Sequence, residues 1–313
     1  MAVAVALTVG SCQYKDLDEP EYKQRFTVDF CHDNVGRVPE SYRLAFYPAD
    51  QEATGNNAGY ILFDVPSSGS EISLPPGNYN VSAWNKDTEH VLTSGYGQRM
   101  SLYATTPKWD TVEKRYDPAY MVDSLFNQPV MDWPDYMVHA NCENFTLRLN
   151  QLGQRLTMTP DSMVVDFSFT VKNILGLELV EECRAAINNA AGKRYIAEKY
   201  HTEDSVAVVF KCKADSVSQT IHAEILLFGY QPSEALLVMK HKMVMFFWTP
   251  YGNIYLPLDI SKSVQKAIDE NTTSVDIEID LEGLNLRDLL GLKESTFDVG
   301  VDDWKDKPID VGF

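Results

Sequence analysis

The groups in this chain able to do chemistry are five cysteines, six histidines and a large surplus of carboxylates. Cys12, Cys31, Cys142, Cys183 and Cys212 form no C-x-x-C pair and stand beside no histidine pair, so they do not match a zinc site. His32, His90, His139, His201, His222 and His241 are scattered without metal-ligand spacing and read as surface or strand residues. Asp302, Asp303 and Asp306 gather carboxylates near the end of the chain, but the EF-hand spacing and its glycine are missing. No G-x-S-x-G, G-x-x-x-x-G-K-[ST], H-E-x-x-H or G-x-G-x-x-G occurs. Paired carboxylates such as Glu181-Glu182 would cleave a glycoside only opposite a second acid across a cleft, a placement that spacing alone does not supply. The expectation is therefore a non-enzyme that takes no metal and no cofactor.

One thiol has a context of its own. Residues 1–11, M-A-V-A-V-A-L-T-V-G-S, are small and apolar and end at Cys12. Such a run is too short to cross a bilayer as a helix and fits the apolar region of a secretory signal peptide, here without a preceding Lys or Arg. Val9-Gly10-Ser11-Cys12 resembles the bacterial lipobox. That resemblance implies diacylglycerol on the Cys12 thiol, cleavage before it and acylation of the new amine, and two or three acyl chains anchor stably where one does not. Residues 12–22, polar and acidic and containing Pro20, read as a lipidated tether. Acidic residues directly after the cysteine resemble a surface-export signal, and an ordinary polar linker has the same composition, so the membrane face stays open.

The elements that must carry any site are strands. Residues 24–31 alternate apolar and polar side chains, the period of a half-buried strand. Residues 42–47, 60–65 and 79–84 behave alike, with Pro, Gly, Asn and Ser clusters between them. In Leu74-Pro75-Pro76-Gly77-Asn78-Tyr79 the prolines forbid a central strand, Gly77 allows a tight turn, and Tyr79 begins a new strand. Residues 143–149 alternate again. The aromatic, Pro- and Asp-rich stretch 103–135 is long for a loop, and it is expected to pack over the first unit or to carry short strands. Residues 150–161, with Gly153 and Pro160, mark a boundary. Beyond it residues 163–171, 205–212, 216–228, 236–248 and 274–281 read as strands. The runs 216–228 and 236–248 are expected to be antiparallel neighbours joined by a turn at Gln231-Pro232-Ser233. Residues 259–271 hold the one helical period, and 297–301 and 309–311 close the chain as short strands. Many short strands and little helix predict an all-β protein of two tandem antiparallel β-sandwiches, spanning 23–152 and 160–313.

Composition agrees. A chain of 313 residues, 44% hydrophobic and 23% charged, has material for two cores. The net charge of −18, with no basic run, excludes nucleic acid as a partner. In an oxidising compartment Cys31 with Cys142 and Cys183 with Cys212 would allow one disulfide per unit, and four buried thiols are equally consistent with their positions.

The lipobox cysteine, the alternating strand after the tether and the turn Leu74-Pro75-Pro76-Gly77-Asn78-Tyr79-Asn80-Val81 together resemble the fimbrillin-associated anchor lipoproteins (FimB-type) of Bacteroidetes and their relatives. The opening of the second unit at 164–173 and Asp303-Trp304 near the end are similar too. The resemblance covers essentially the whole chain, on short motifs. It implies two transthyretin-like sandwiches tethered through Cys12 to the cell outer membrane at the base of a fimbria, with fimbrial subunits as partners joined by strand addition. Stalk subunits of that group are activated by proteolysis after an arginine near the N-terminus. Here Arg25 has little basic context, and the expectation is an uncut chain whose own first strand fills its groove, leaving the C-terminal strands to engage the next subunit. Asp-Ser/Thr-aliphatic triplets at Thr111, Ser124, Ser162, Ser205 and Ser216 resemble the O-glycosylation signal of exported Bacteroidetes proteins. The alternative function is a surface lipoprotein that binds a glycan or host ligand without forming a fibre, for which the aromatics of residues 109–136 are the candidate platform.

Overall fold

The computed structural model describes residues 23–52, 59–108, 127–198, 204–230, 241–270 and 274–292. The first half contains β1 (Gln24–Phe30), β2 (Ser41–Pro48), β3 (Ile61–Pro66), β4 (Ser70–Leu74), β5 (Gly77–Asn85), β6 (Leu92–Ser94), β7 (Tyr103–Thr105), β8 (Val130–Met131), β9 (Val138–Leu147), β10 (Arg155–Met158) and β11 (Asp161–Ser162). The second contains β12 (Val165–Lys172), β13 (Glu182–Ala191), β14 (Lys193–Tyr195), β15 (Ser205–Lys211), β16 (Lys213–Asp215), β17 (Thr220–Leu227), β18 (Lys242–Thr249), β19 (Gly252–Asp259) and β20 (Ser274–Asp280).

Both halves are two-layer sandwiches, and the strand orders repeat. The first stacks β10-β1-β4 on β11-β9-β5-β2-β3, and the second stacks β16-β17-β12-β20 on β19-β18-β13-β15-β8. Matching β1, β2, β3, β4, β5, β9 and β10 to β12, β13, β15, β17, β18, β19 and β20 reproduces every neighbour relation. Each half has a parallel pair at the same place, β1 with β10 and β12 with β20, and the second has a further one, β15 with β8, so the sheets are mixed rather than purely antiparallel.

This repeat corrects one expectation. Residues 220–227 and 242–249 are not hairpin neighbours, because β17 pairs with β12 and β16 while β18 pairs with β13 and β19. The chain crosses between layers there, as it does between β4 and β5. At that first crossing Pro75 and Pro76, which cannot donate to a ladder, end one sheet, and Gly77 starts the other. Tyr79 is buried and its hydroxyl donates to the Pro75 carbonyl at 2.8 Å, tying the corner shut.

Alternation places Phe26 and Val28 of β1 opposite Tyr42, Leu44 and Phe46 of β2 in the first core, where Phe26 meets Phe46 edge-on at 6.0 Å. Three other side chains of β2 and β5 serve a second core. Ala45, Tyr47 and Trp84 pack with Leu102, Ala104 and Met137 and with Met163, Val164, Ala191, Ile196 and Phe228 from farther along the chain. A small sheet, β14-β7-β6, spans the same junction. The Ile196 carbonyl accepts from the Asn141 amide at 2.8 Å, and the Ile196 N–H donates to the Leu102 carbonyl at 2.9 Å. Arg194 is half-buried there, its guanidinium donates to the Met163 carbonyl at 2.5 Å, and partial burial lowers its pKa to about 10. The halves interlock further: β10 and β11 lie beyond residue 152 but complete sheets of the first half, and β8 joins β15 of the second. The first sandwich thus reaches Ser162, because β10 is the second neighbour of β1 and β11 extends the sheet beside β9.

Candidate assembly site

A protein that joins a fibre by strand addition needs either a vacant strand position or a free strand to give. The position occupied by β1 is where such a vacancy would open, since β1 is central to its sheet. Residues 24–28 pair antiparallel with Leu74 to Ser70 of β4, and residues 27–30 pair parallel with residues 155–158 of β10. Past the pairing with β10, the Gln24 side chain takes over: its amide donates to the Gln151 carbonyl at 3.1 Å and its carbonyl accepts from the Asn150 N–H at 2.9 Å. The corresponding place in the second sandwich is held by β12, paired along its length with β17 and β20. Both positions are held by strands of this chain, each paired on its two sides.

Arg25 sits inside that ladder opposite Ser73, with its side chain in solvent and its guanidinium 3.6 Å from Glu71. A protease would have to pull β1 out of its sheet to reach the following bond, and Phe26 and Val28 are buried anchors against that.

The remaining sequence-derived sites divide. Cys12, Thr111 and Ser124 lie outside the described residues, as do the closing strands expected at 297–301 and 309–311 and Asp302, Asp303, Trp304 and Asp306. Ser162 in β11 is half-buried, donates to the Val164 carbonyl at 2.8 Å and accepts from its N–H at 3.2 Å, so its hydroxyl is engaged. Ser205 opens β15, half-buried. Ser216 is exposed at the turn between β16 and β17, where Asp215 accepts from the Val217 N–H at 2.8 Å and neighbouring Val217 is 93% exposed. Of the three described hydroxyls it is the most accessible. Trp133 packs against the second core and Tyr136 against the first, so the described aromatics of the 109–136 stretch serve packing; Trp109 lies outside the described residues.

Among the described residues no cluster of three metal-ligating side chains occurs. A concavity lies on the outer face of the second sandwich over Asp166, Glu224, Ser274 and Asp276. Burial, then the charges of Asp276 and Glu224, raise Asp166 above the usual carboxylate range. This is a like-charged patch on an open sheet face, not two acids flanking a cleft. No helix of the described residues is long and apolar enough to cross a membrane.

Comparison with known proteins gives the context. Residues 11–211 match the family model described as a domain of unknown function, DUF5119. No curated protein sequence matches the chain. Among solved structures, an adhesin candidate of Bacteroides ovatus superposes at a TM-score of 0.63, with 17% identity over 89% of this chain and 98% of that one. Candidate polysaccharide-binding proteins (DUF1812) of Bacteroides thetaiotaomicron reach 0.53, with 12% identity over 82% and 91%. The fimbrial anchor protein Mfa2 of Porphyromonas gingivalis gives 0.48, with 14% identity over 82% and 90%, too distant to carry a functional argument. The first two likenesses show a shared β-rich fold and nothing beyond it.

Proposed function

The chain belongs to the DUF5119 family, and from that premise we propose that it is an outer-membrane lipoprotein acting as a fimbrial anchor or assembly subunit. The observation that carries the reading is the self-filled pair of grooves. A subunit whose β1 and β12 already complete both sandwiches accepts no strand from a preceding subunit, which suits the member at the base of a fibre. In this reading Cys12 carries the lipid, residues 12–22 are the tether, and Arg25 is not cut. The partner is a fimbrial subunit, engaged through residues 297–301 and 309–311 as an added strand whose main-chain hydrogen bonds supply affinity. The sandwich organisation shared with the Bacteroides adhesin candidate supports a binding role rather than an enzymatic one. Thr111, Ser124, Ser162, Ser205 and Ser216 are the candidate O-glycosylation sites, with Ser216 first among those described.

The test is co-purification. Affinity-tagged full-length chain is isolated from the envelope of its own host in mild detergent, beside a chain ending at Leu292. Fimbrial subunits are expected with the full chain and not with the shortened one. Recovery of neither, together with glycan binding by the purified chain, would favour a surface lipoprotein that recognises carbohydrate.

A further inference from the structure

Two of the cysteines meet. Arg184 of β13 stands opposite Lys211 of β15, so Cys183 and Cys212 are the next cross-strand pair, and the Cys212 N–H donates to the Cys183 carbonyl at 2.9 Å. Their side chains share a face. Cys183 belongs to the inward set Cys183, Ala185 and Ile187, and Cys212 continues the inward set Val206, Val208 and Phe210 and packs against the same core. In a hydrogen-bonded antiparallel pair such as this one the Cα atoms stand about 5.5 Å apart, inside the range a disulfide spans, and the Cβ atoms, at up to about 5.5 Å, need to draw about 1 Å closer for the bond to form, a shift the frayed end of β15 can supply. Cys31 and Cys142 have no such relation: Cys31 follows β1 with its thiol 3.1 Å from the Asp33 carboxylate, and Cys142 lies mid-strand in β9 opposite Val81.

We propose that Cys183 and Cys212, both free thiols in this structure, are a built disulfide site that closes when the chain folds under oxidising conditions, while Cys31 and Cys142 stay reduced. The chemistry is thiol–disulfide exchange. One protein thiolate attacks a sulfur of a donor disulfide, a small-molecule or protein dithiol in its oxidised form, and expels one donor thiolate. The second protein thiolate attacks the mixed disulfide, forms the Cys183–Cys212 bond and expels the other. The protein pair loses two electrons and two protons, and the donor gains both.

The order of events follows from the environment. Burial, and then the adjacent Cys183 thiol, push the Cys212 thiol well above its ordinary value, and the thiolate is the reactive form. Lys211 and Lys213 are exposed and alternate to the other face, so they do not reverse this. The bridge therefore closes while β13 and β15 are still coming together, and a chain folded reduced keeps the pair inert. Once closed, the bond ties the central strand of the second sandwich to its neighbour around a loop of about 30 residues.

The inference rests on the exported reading only for where the reaction occurs in the cell. The test uses the full chain, unfolded, reduced, and refolded in a buffer of oxidised and reduced glutathione. Free thiols are then blocked by alkylation in denaturant, and unreduced peptides are mapped by mass spectrometry. The expected result is a cross-linked pair containing Cys183 and Cys212, with Cys12, Cys31 and Cys142 alkylated. Reducing that bond should lower the thermal midpoint by roughly 3–6 °C. Five alkylated cysteines, or a different pairing, would overturn the proposal. A second preparation, taken from the native host under rapid alkylation, separates the two readings. A bridge formed on refolding but absent there counts against export and not against the pair.

Discussion

The junction core is the feature whose loss has the largest calculable effect. Trp84, 3% exposed, projects from β5 away from the first sandwich core and packs among residues of both halves, with the Tyr96 ring at 6.0 Å and Phe228 in the same cluster. Trp84→Ala removes a fully buried aromatic from a site pinned by β-ladders on both sides, where collapse into the space is limited. The expected cost is about 3–5 kcal/mol. For a chain of this size that corresponds to a fall in Tm of roughly 5–8 °C. Because Phe228 comes from the second half, Phe228→Ala should couple to it, and the double variant should depart from additivity by about 0.5–3 kcal/mol. Urea unfolding followed by far-UV circular dichroism, with calorimetry as the second probe, reads both quantities. A Trp84→Ala cost under about 1 kcal/mol, or strict additivity with Phe228→Ala, would refute the claim that the halves share a core.

Three further perturbations follow from individual contacts. Tyr79→Phe deletes only the 2.8 Å bond to the Pro75 carbonyl at the β4–β5 corner, and a destabilisation of about 1 kcal/mol in the urea midpoint is expected. Asp64 accepts both guanidinium bonds of Arg43, at 2.8 and 2.9 Å, which with Lys86 holds its carboxyl at about 2. A depressed carboxyl stabilises the fold above its unfolded pKa, near 3.9, and loses that contribution as pH falls toward 2. The stability gap between the wild type and Asp64→Asn should therefore be present at pH 7, stay under about 1 kcal/mol because the pair is partly exposed, and close on acidification toward pH 2. Gly95 has φ of +82°, and a Cβ there would lie 1.8 Å from the Ser101 carbonyl oxygen, so Gly95→Ala should lower the midpoint by more than the loss of any single exposed ion pair.

Sequence periodicity reached those strands with one wet or polar face. β1, with its Phe26/Val28 alternation, and β12, with Phe167/Phe169/Val171, were legible within a residue or two. β13 was not. It reads E-C-R-A-A-I-N-N-A-A, is buried on both faces and therefore has no alternation, and its alanines and asparagines carry weak strand propensity. A bulge after Ile187, with Asn189 at φ 57°, breaks the pattern further. β19 was hidden by Pro257, which its place at a sheet edge tolerates. β8 is two residues long and gains its identity only from β15. The layer crossing between β17 and β18 was misjudged as a hairpin because two adjacent apolar runs carry no information about which sheet each joins. For the site, the alternation of β1 showed a half-buried strand, while its place between β4 and β10 was not readable from the sequence. The Cys183–Cys212 pairing was open in the sequence because it depends on the register of β13, the strand that periodicity missed.

The proposed attachment of the chain to the outer membrane through Cys12 is open to one direct measurement. Intact-mass analysis of the protein isolated from the outer membrane of its host, beside Cys12→Ser, should show loss of residues 1–11 and gain of acyl chains, both abolished in the variant. An unacylated chain, cut elsewhere or recovered free of the membrane, would contradict the account.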